Sequence, residues 1–231
     1  MTHDIDAVVM ASSAMKDAIS RVADKRGLPS GWLNTDFKRT KSYSDKLIGI
    51  SVHYRTFSNI LTIRTVSAEY LVAMKLMSGR RYKHDLSDIV GILWEHQKSG
   101  NPLSRESIEK AITTLYGDSA EVPSASRLLT DSLFERRPDY EAMFMKIIDS
   151  EKESKDLLLS FDENYPNALN ADNTDGILDL LRKRQGEERA VGVNKKSLIQ
   201  RLNENKKKIE DVSKHDNPIP SSSKPGNDLE I

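Results

Sequence analysis

Apolar positions near the start of the chain form a run, Ile5-Asp-Ala-Val-Val-Met10, that reads as a strand. Behind it, Met15, Ala18, Ile19, Val22 and Ala23 recur at three- and four-residue intervals, the spacing of one buried helix face. Ser12 and Ser13 can cap that helix at its start, Gly27 suits a left-handed cap at its end, and Pro29 stops it. The stretch Leu28 to Asn34 then reads as a turn-rich loop pinned to the core by Trp32 and Leu33. Two segments rich in β-branched residues follow, Leu47 to Tyr54 and Ile60 to Val66, joined through Thr56 to Asn59 as a hairpin. His53 falls within the first and reads as a strand residue, because no second histidine stands at ligand spacing.

Helical periodicity takes over after Val66. Ser67 caps a helix with Tyr70, Leu71, Met74 and Met77 facing inward, closed by Gly79. A cationic bend, Arg80-Arg-Tyr-Lys83, leads into a helix opened by His84 and Asp85, with Leu86, Ile89, Val90, Ile92 and Leu93 on its core side. Its early acids suit the positive end of the helix dipole. Ser104 starts a further helix through Ile108, Ala111, Ile112 and Leu115, ending at Gly117. Beyond Pro123, Leu128, Leu129, Leu133 and Phe134 mark one helix, and Tyr140, Met143, Phe144, Ile147 and Ile148 another. Leu157 to Phe161 either extends the latter or packs separately, and Asn164 to Asp175 reads as a loop. Short helices are expected over 177–184 and 197–212. The Pro- and Ser-rich end from Asp216 is too poor in apolar groups to offset the entropy of ordering.

This order predicts an α+β fold, with helices on a small mixed sheet and a helical C-terminal half. The expected division is a core over 1–118, a helical region over 119–212 and a disordered tail over 213–231. No internal repeat is present.

Composition narrows the function classes only slightly. Thirty-five basic residues balance thirty-five acidic ones, which argues against a globally basic nucleic-acid binder and leaves room for a local patch. The absence of cysteine removes disulfides and thiolate metal sites. No apolar run reaches the roughly 20 residues of a membrane span, and no secretory leader is evident. The default expectation is a cytoplasmic protein with no membrane partner.

Asp4 and Asp6 stand two apart at the leading end of the first apolar run. On a strand they share a face, where paired carboxylates can hold divalent cations for phosphoryl or nucleotidyl transfer. Three pieces then occur in fixed order: Thr2 to Val9, Ser67 to Leu76, and Gly79 to Ile89. Together they resemble the bacterial nucleotidyltransferase-fold proteins related to the AbiEii toxin of abortive-infection toxin–antitoxin systems. The resemblance covers the first half of the chain, and the Leu28–Asn34 loop is similar to a segment found in one branch of that group.

The resemblance implies transfer of a nucleoside monophosphate from an NTP to a hydroxyl on RNA or protein. By position, Asp4 and Asp6 match the carboxylates that hold Mg2+ in that family, and Lys75 matches the lysine that contacts the nucleotide phosphates. Asp88 best matches the later acid that supports the lysine or the acceptor, with Asp85 second. Arg80 and Arg81 would add phosphate contacts, and an antitoxin is the implied partner. A lysine facing paired acids is chemically coherent, since it can neutralise triphosphate charge while magnesium bridges the leaving oxygens. The plain alternative is an interhelical ion pair between Lys75 and Asp88, beside a solvated basic turn.

The departure from the family concerns phosphate binding. Family members carry a Gly-Ser turn ahead of the paired acids, whereas Met1 here falls three residues before Asp4. Gly27, Gly31, Gly49 and Gly79 are isolated and offer no substitute, and Leu61 to Thr65 supplies no third strand carboxylate. Weak or no transfer activity is therefore expected of the sequence as given. Two non-catalytic expectations stand beside the enzyme. One is an interaction protein on a degraded version of this fold, with its helical half as the working surface. The other is an RNA-binding accessory using Arg80, Arg81 and Lys83 with the basic stretch from Lys195 to Lys208.

Overall fold

A computed structural model describes residues 5–29, 31–135 and 139–186. The chain falls into two compact units, Met1–Asp175 and Gly176–Ile231. Within the first, the order is β1 (Ile5–Asp6), α1 (Ser13–Arg26), β2 (Leu33–Asn34), a 3-10 turn (Asp36–Arg39), one helical turn α2 (Leu47–Ile50), β3 (Val52–Phe57), β4 (Leu61–Thr65), α3 (Ala68–Ser78), α4 (Asp85–Lys98), α5 (Arg105–Tyr116), α6 (Ser124–Glu135) and α7 (Tyr140–Asn164). Residues 174–186 are helical, and 176–186 are the described part of the second unit. The helix expected over 197–212 and the tail lie outside the described residues.

The fold is α+β, but its strands do not form one mixed sheet. Among the described residues there are two separate two-stranded sheets, β1 with β2 in parallel and β3 with β4 antiparallel. The first strand is shorter than its apolar run suggests: only Ile5 and Asp6 pair, with Leu33 and Asn34. That pairing makes the end of the Leu28–Asn34 segment a strand rather than a loop. It is closed by bonds from Ile5 N–H to the Trp32 carbonyl (2.7 Å) and from Ala7 N–H to that of Asn34 (2.8 Å).

The expected strand from Leu47 is a second departure. Leu47–Ile50 forms a helical turn that buries Leu47, and the strand begins at Val52. β-branched side chains had suggested extended backbone there, but burying Leu47 beside Ala73, Ala111 and Leu115 decides otherwise. The hairpin itself forms, with Ser58 and Asn59 both at positive φ (47° and 54°), the sense that tight antiparallel connections prefer. Every residue of β3 and β4 is exposed, so the pair contributes little to the core.

Helix α3 is the centre of packing. Val72 and Leu76 enter one cluster with Ile89, Val90 and Leu93 of α4, Ile108 of α5 and Leu129 and Leu133 of α6. Ala73 enters a second cluster with Leu47, Ala111 and Leu115. The fully buried positions of α3 are thus Val72, Ala73 and Leu76, while Leu71, expected inward, is exposed. A helix apolar on most of its circumference gives its periodicity no single face to point to. The inward faces read for α4 and α5 are those observed, through Ile89, Val90 and Leu93 and through Ile108, Ala111 and Leu115. Helix α1 differs: it forms and is capped as expected by Ser12 and Gly27, yet buries no residue, and Val22 is exposed.

Gly79 fixes the bend after α3 in two ways. It ends the helix at φ 55°, donating its N–H to the Lys75 carbonyl (2.9 Å). A Cβ placed there would also stand 2.6 Å from the Ser126 hydroxyl oxygen and 3.2 Å from carbons of Pro123. The bend is therefore pressed against the start of α6.

Candidate functional site

The Gly79 bend brings the end of α3 to the start of α4, and four charged side chains meet there. Asp85, at 1% exposure, is the hub. Its Oδ2 accepts from Arg80 Nε (2.7 Å) and from the Arg80 backbone N–H (3.3 Å). Its Oδ1 accepts from a terminal nitrogen of Arg80 (3.1 Å) and from Lys75 Nζ (3.3 Å). Lys75 Nζ also lies 2.8 Å from Asp88 Oδ2, and Asp88, one turn further along α4, is half-buried, with its side chain 44% exposed. Two cations and two anions leave the group without net charge.

Their environments divide the work. Burial alone would raise the Asp85 carboxyl, but hydrogen bonds from Arg80 and Ser78 and the charges of Arg80 and Lys75 hold it below the ordinary aspartate value. Burial likewise acts to lower the Lys75 ammonium, and the Asp88 hydrogen bond with the charges of Asp85 and Asp88 outweighs it, so Lys75 is held above its ordinary value. Arg80 follows the same logic: desolvation is outweighed by Asp85, with smaller contributions from other groups that include Asp6. All three are charged at neutral pH. Asp85 is a fixed counter-ion inside the protein, whereas Asp88 is a counter-ion that solvent can reach.

The residues singled out from sequence fall into four groups. Lys75, Arg80, Asp85 and Asp88 converge. Asp6 acts on Arg80 through its charge, and its carboxylate accepts from Asn34 Nδ2 (2.8 Å). Arg81 turns elsewhere, with Nε 3.3 Å from Asp175 Oδ1 and a terminal nitrogen donating to the Asp175 carbonyl (3.0 Å). Asp4 and the basic stretch from Lys195 to Lys208 lie outside the described residues. For magnesium the described donor set is incomplete: Asp6 is held by Asn34, and no group of three His, Cys, Asp or Glu side chains gathers among the described residues. Those residues alone do not fit a two-metal centre.

Glu151 of α7 is the functional residue that sequence reasoning passed over. At 3% exposure, its Oε1 accepts from the backbone N–H groups of Leu86 (3.0 Å) and Ser87 (3.1 Å), and its Oε2 from the Ser87 hydroxyl (2.6 Å). It closes the first turn of α4, where His84 supplies no side-chain cap. Burial raises its carboxyl above the ordinary glutamate value, against the hydrogen bonds from Ser87 and Leu86. A signal for it exists in the sequence. Phe144, Ile147, Glu151, Ser154 and Leu158 continue one three-four stripe, so an acid stands where the helix turns inward. Asn34 on Asp6 and Asp175 on Arg81 left no comparable mark.

The arrangement can present an ammonium and a guanidinium to an anion. A phosphate oxygen can take the place of half-buried Asp88 at Lys75, while Asp85 keeps both cations posed. Among the described residues, no helix is long and apolar enough to cross a membrane. Comparison of the chain with protein-family models, curated proteins and solved structures finds no match in any of the three.

Proposed function

We propose that the chain is a nucleotidyltransferase-like protein whose Lys75 and Arg80 receive the phosphates of an NTP destined for a hydroxyl acceptor on RNA or protein. The observation that carries this reading is one buried carboxylate, Asp85, holding both cations at the α3–α4 bend, with Asp6 near enough to act on Arg80. An ion pair serving stability alone does not need a second counter-ion on the same lysine, and Asp88 is one that solvent partly reaches. In this reading Asp85 positions and Asp88 yields to the substrate. Asp4 and Asp6 are the proposed carboxylates for Mg2+, and an antitoxin partner belongs to the same reading. Support comes from the order of the three motif pieces and from the convergence of Lys75 with both acids.

Calorimetric titration with an NTP, with and without magnesium, tests this. Binding that strengthens with magnesium, weakens at least about tenfold in Lys75→Met (the loss of one charge-assisted contact), and loses its magnesium dependence in Asp6→Ala is expected. Absence of NTP binding by the wild-type chain would overturn it.

The second reading is a non-catalytic interaction protein in which the cluster clamps α3 to α4. The observation favouring it is the internal neutrality of the four charges, which leaves no surplus field for a phosphate. Under that reading Lys75→Met lowers stability and no nucleotide binds.

A further inference from the structure

A second group of cationic side chains lies elsewhere in the first unit, on residues that share no member with the Lys75 cluster. An open pocket of about 570 Å³ is bounded by Lys16, Ile19 and Ser20 of α1, by Val9 and Leu33, and by Thr35, Asp36, Lys38 and Arg39 around the 3-10 turn. Lys16, Ile19 and Ser20 stand at i, i+3 and i+4, so one face of α1 supplies a cation, an apolar side chain and a hydroxyl together. Lys38 and Arg39 end the 3-10 turn opposite them.

Three observations say what such a pocket takes. The first is size: ligand pockets occupy roughly 300–1,000 Å³, and this one falls inside that range. The second is charge without internal partners. Lys16, Lys38 and Arg39 make no ion pair among the described residues, unlike Lys75, Arg80 and Arg105, each of which is matched by acids. From Lys16 to Lys41 the chain carries seven Lys or Arg residues against three Asp, a surplus of four in a chain whose total is zero. The third is the mixture of walls. Val9, Ile19 and Leu33 give the pocket an apolar side, and Asp36 gives it a single acceptor among the cations.

We propose that this pocket binds a small phosphate ester, with the phosphate between Lys16 and the Lys38–Arg39 pair and an organic body against Val9, Ile19 and Leu33. Arg39 offers a planar fork for two phosphate oxygens and the lysines act as point charges. The Ser20 and Thr35 hydroxyls can add neutral donors, and Asp36 can accept from a hydroxyl or amino group of the body, which favours a nucleoside monophosphate over an alkyl phosphate. Inorganic phosphate satisfies the cations but leaves the apolar wall uncovered. A nucleoside covers the wall and leaves the cations unpaired. Both parts are needed for tight binding.

The test is calorimetry on the full chain with AMP, adenosine and inorganic phosphate as separate probes. AMP should bind, adenosine should give no heat, and phosphate should bind more weakly than AMP. Lys38→Gln with Arg39→Gln should weaken AMP at least about tenfold, since each lost charge-assisted contact is worth about 1.5–3 kcal/mol and 1.4 kcal/mol is tenfold. Lys16→Gln, on a different element, should weaken it in the same direction and serves if the double variant does not fold. Lys110→Gln, an exposed position outside both sites, should leave AMP binding unchanged, and Lys75→Met reports whether AMP goes instead to the NTP site proposed above. Failure of AMP to bind at millimolar concentration, or loss of binding through Lys75→Met with the pocket variants unaffected, would overturn the proposal.

Discussion

Replacing Glu151 by alanine should be among the most damaging single changes in the first unit, although Glu151 lies 66 positions beyond the aspartate hub in sequence. The carboxylate is the acceptor for two backbone N–H groups at the start of α4, at 3.0 and 3.1 Å, and for the Ser87 hydroxyl at 2.6 Å. His84 provides no side-chain cap, so nothing local replaces it. Ser87 can turn its hydroxyl to the His84 carbonyl, already 3.2 Å away, but the two N–H groups cannot turn. Leaving each unsatisfied costs about 1–3 kcal/mol, for a total of roughly 2–6 kcal/mol. A domain of this size loses roughly 2–4 °C in melting temperature per kcal/mol, so a fall of about 4–24 °C is expected. Glu151→Gln is the control. Its carbonyl keeps both N–H bonds, and its amide can donate to the Ser87 hydroxyl, which then donates to His84, so it should cost less than about 1 kcal/mol. Thermal melting monitored by circular dichroism reads the difference, and amide exchange at Leu86 and Ser87 locates it. A Glu151→Ala melting temperature equal to wild type, or exchange at those two amides no faster than before, would refute the trans cap. Because Asp85 and Asp88 stand in the same turn, frayed α4 should also loosen the grip on Lys75.

Gly79→Ala should destabilise by at least about 2 kcal/mol, from positive φ and from the 2.6 Å approach to the Ser126 hydroxyl. Ser126→Ala alone should be neutral or slightly stabilising in urea melts, because that buried hydroxyl has no hydrogen-bond partner. The pH dependence of stability should carry two opposite signs. Asp85 is lowered from 3.8, so its contribution is complete above that pH and is lost as pH falls through the folded value beneath it. Glu151 is raised from 4.5, so the native state holds its proton longer, and stability from this group is present below 4.5 and lost as pH rises through the folded value. Urea midpoints against pH should therefore show Asp85→Asn flattening the acid limb and Glu151→Gln flattening the limb above it.

The helices were legible where a polar face opposed an apolar one. The core sides of α4 and α5 could be read position by position, and Ser12, Gly27, Ser104 and Gly79 announced helix ends through capping chemistry. The inward side of α3 was not, because Tyr70 through Met77 are nearly all apolar and two clusters claim the helix from different directions. The Leu47 turn was misjudged for a related reason: local β preference yielded to a tertiary contact that no window of sequence contains. Burial of α1 was overestimated, since amphipathic spacing says which face can be buried and not how much will be. Of the candidate site, the motif order pointed to Lys75, Asp85 and Asp88, and the bend at Gly79 brought them together. The hub role of Asp85 and its hold on Arg80 depended on the turn geometry and could not be ranked from spacing. Glu151 had a visible place on its stripe, but its partners in α4 are set by packing.

A structure of the chain grown with an NTP and magnesium is the most direct examination of the Lys75 site. The phosphates should lie within hydrogen-bond reach of Lys75 Nζ and the Arg80 guanidinium, with Asp85 still bound to both cations and Asp88 swung away from the lysine. Nucleotide found only between Lys16 and Arg39, or Lys75 still paired with Asp88 and no nucleotide beside it, would contradict the assignment of this cluster to phosphate binding.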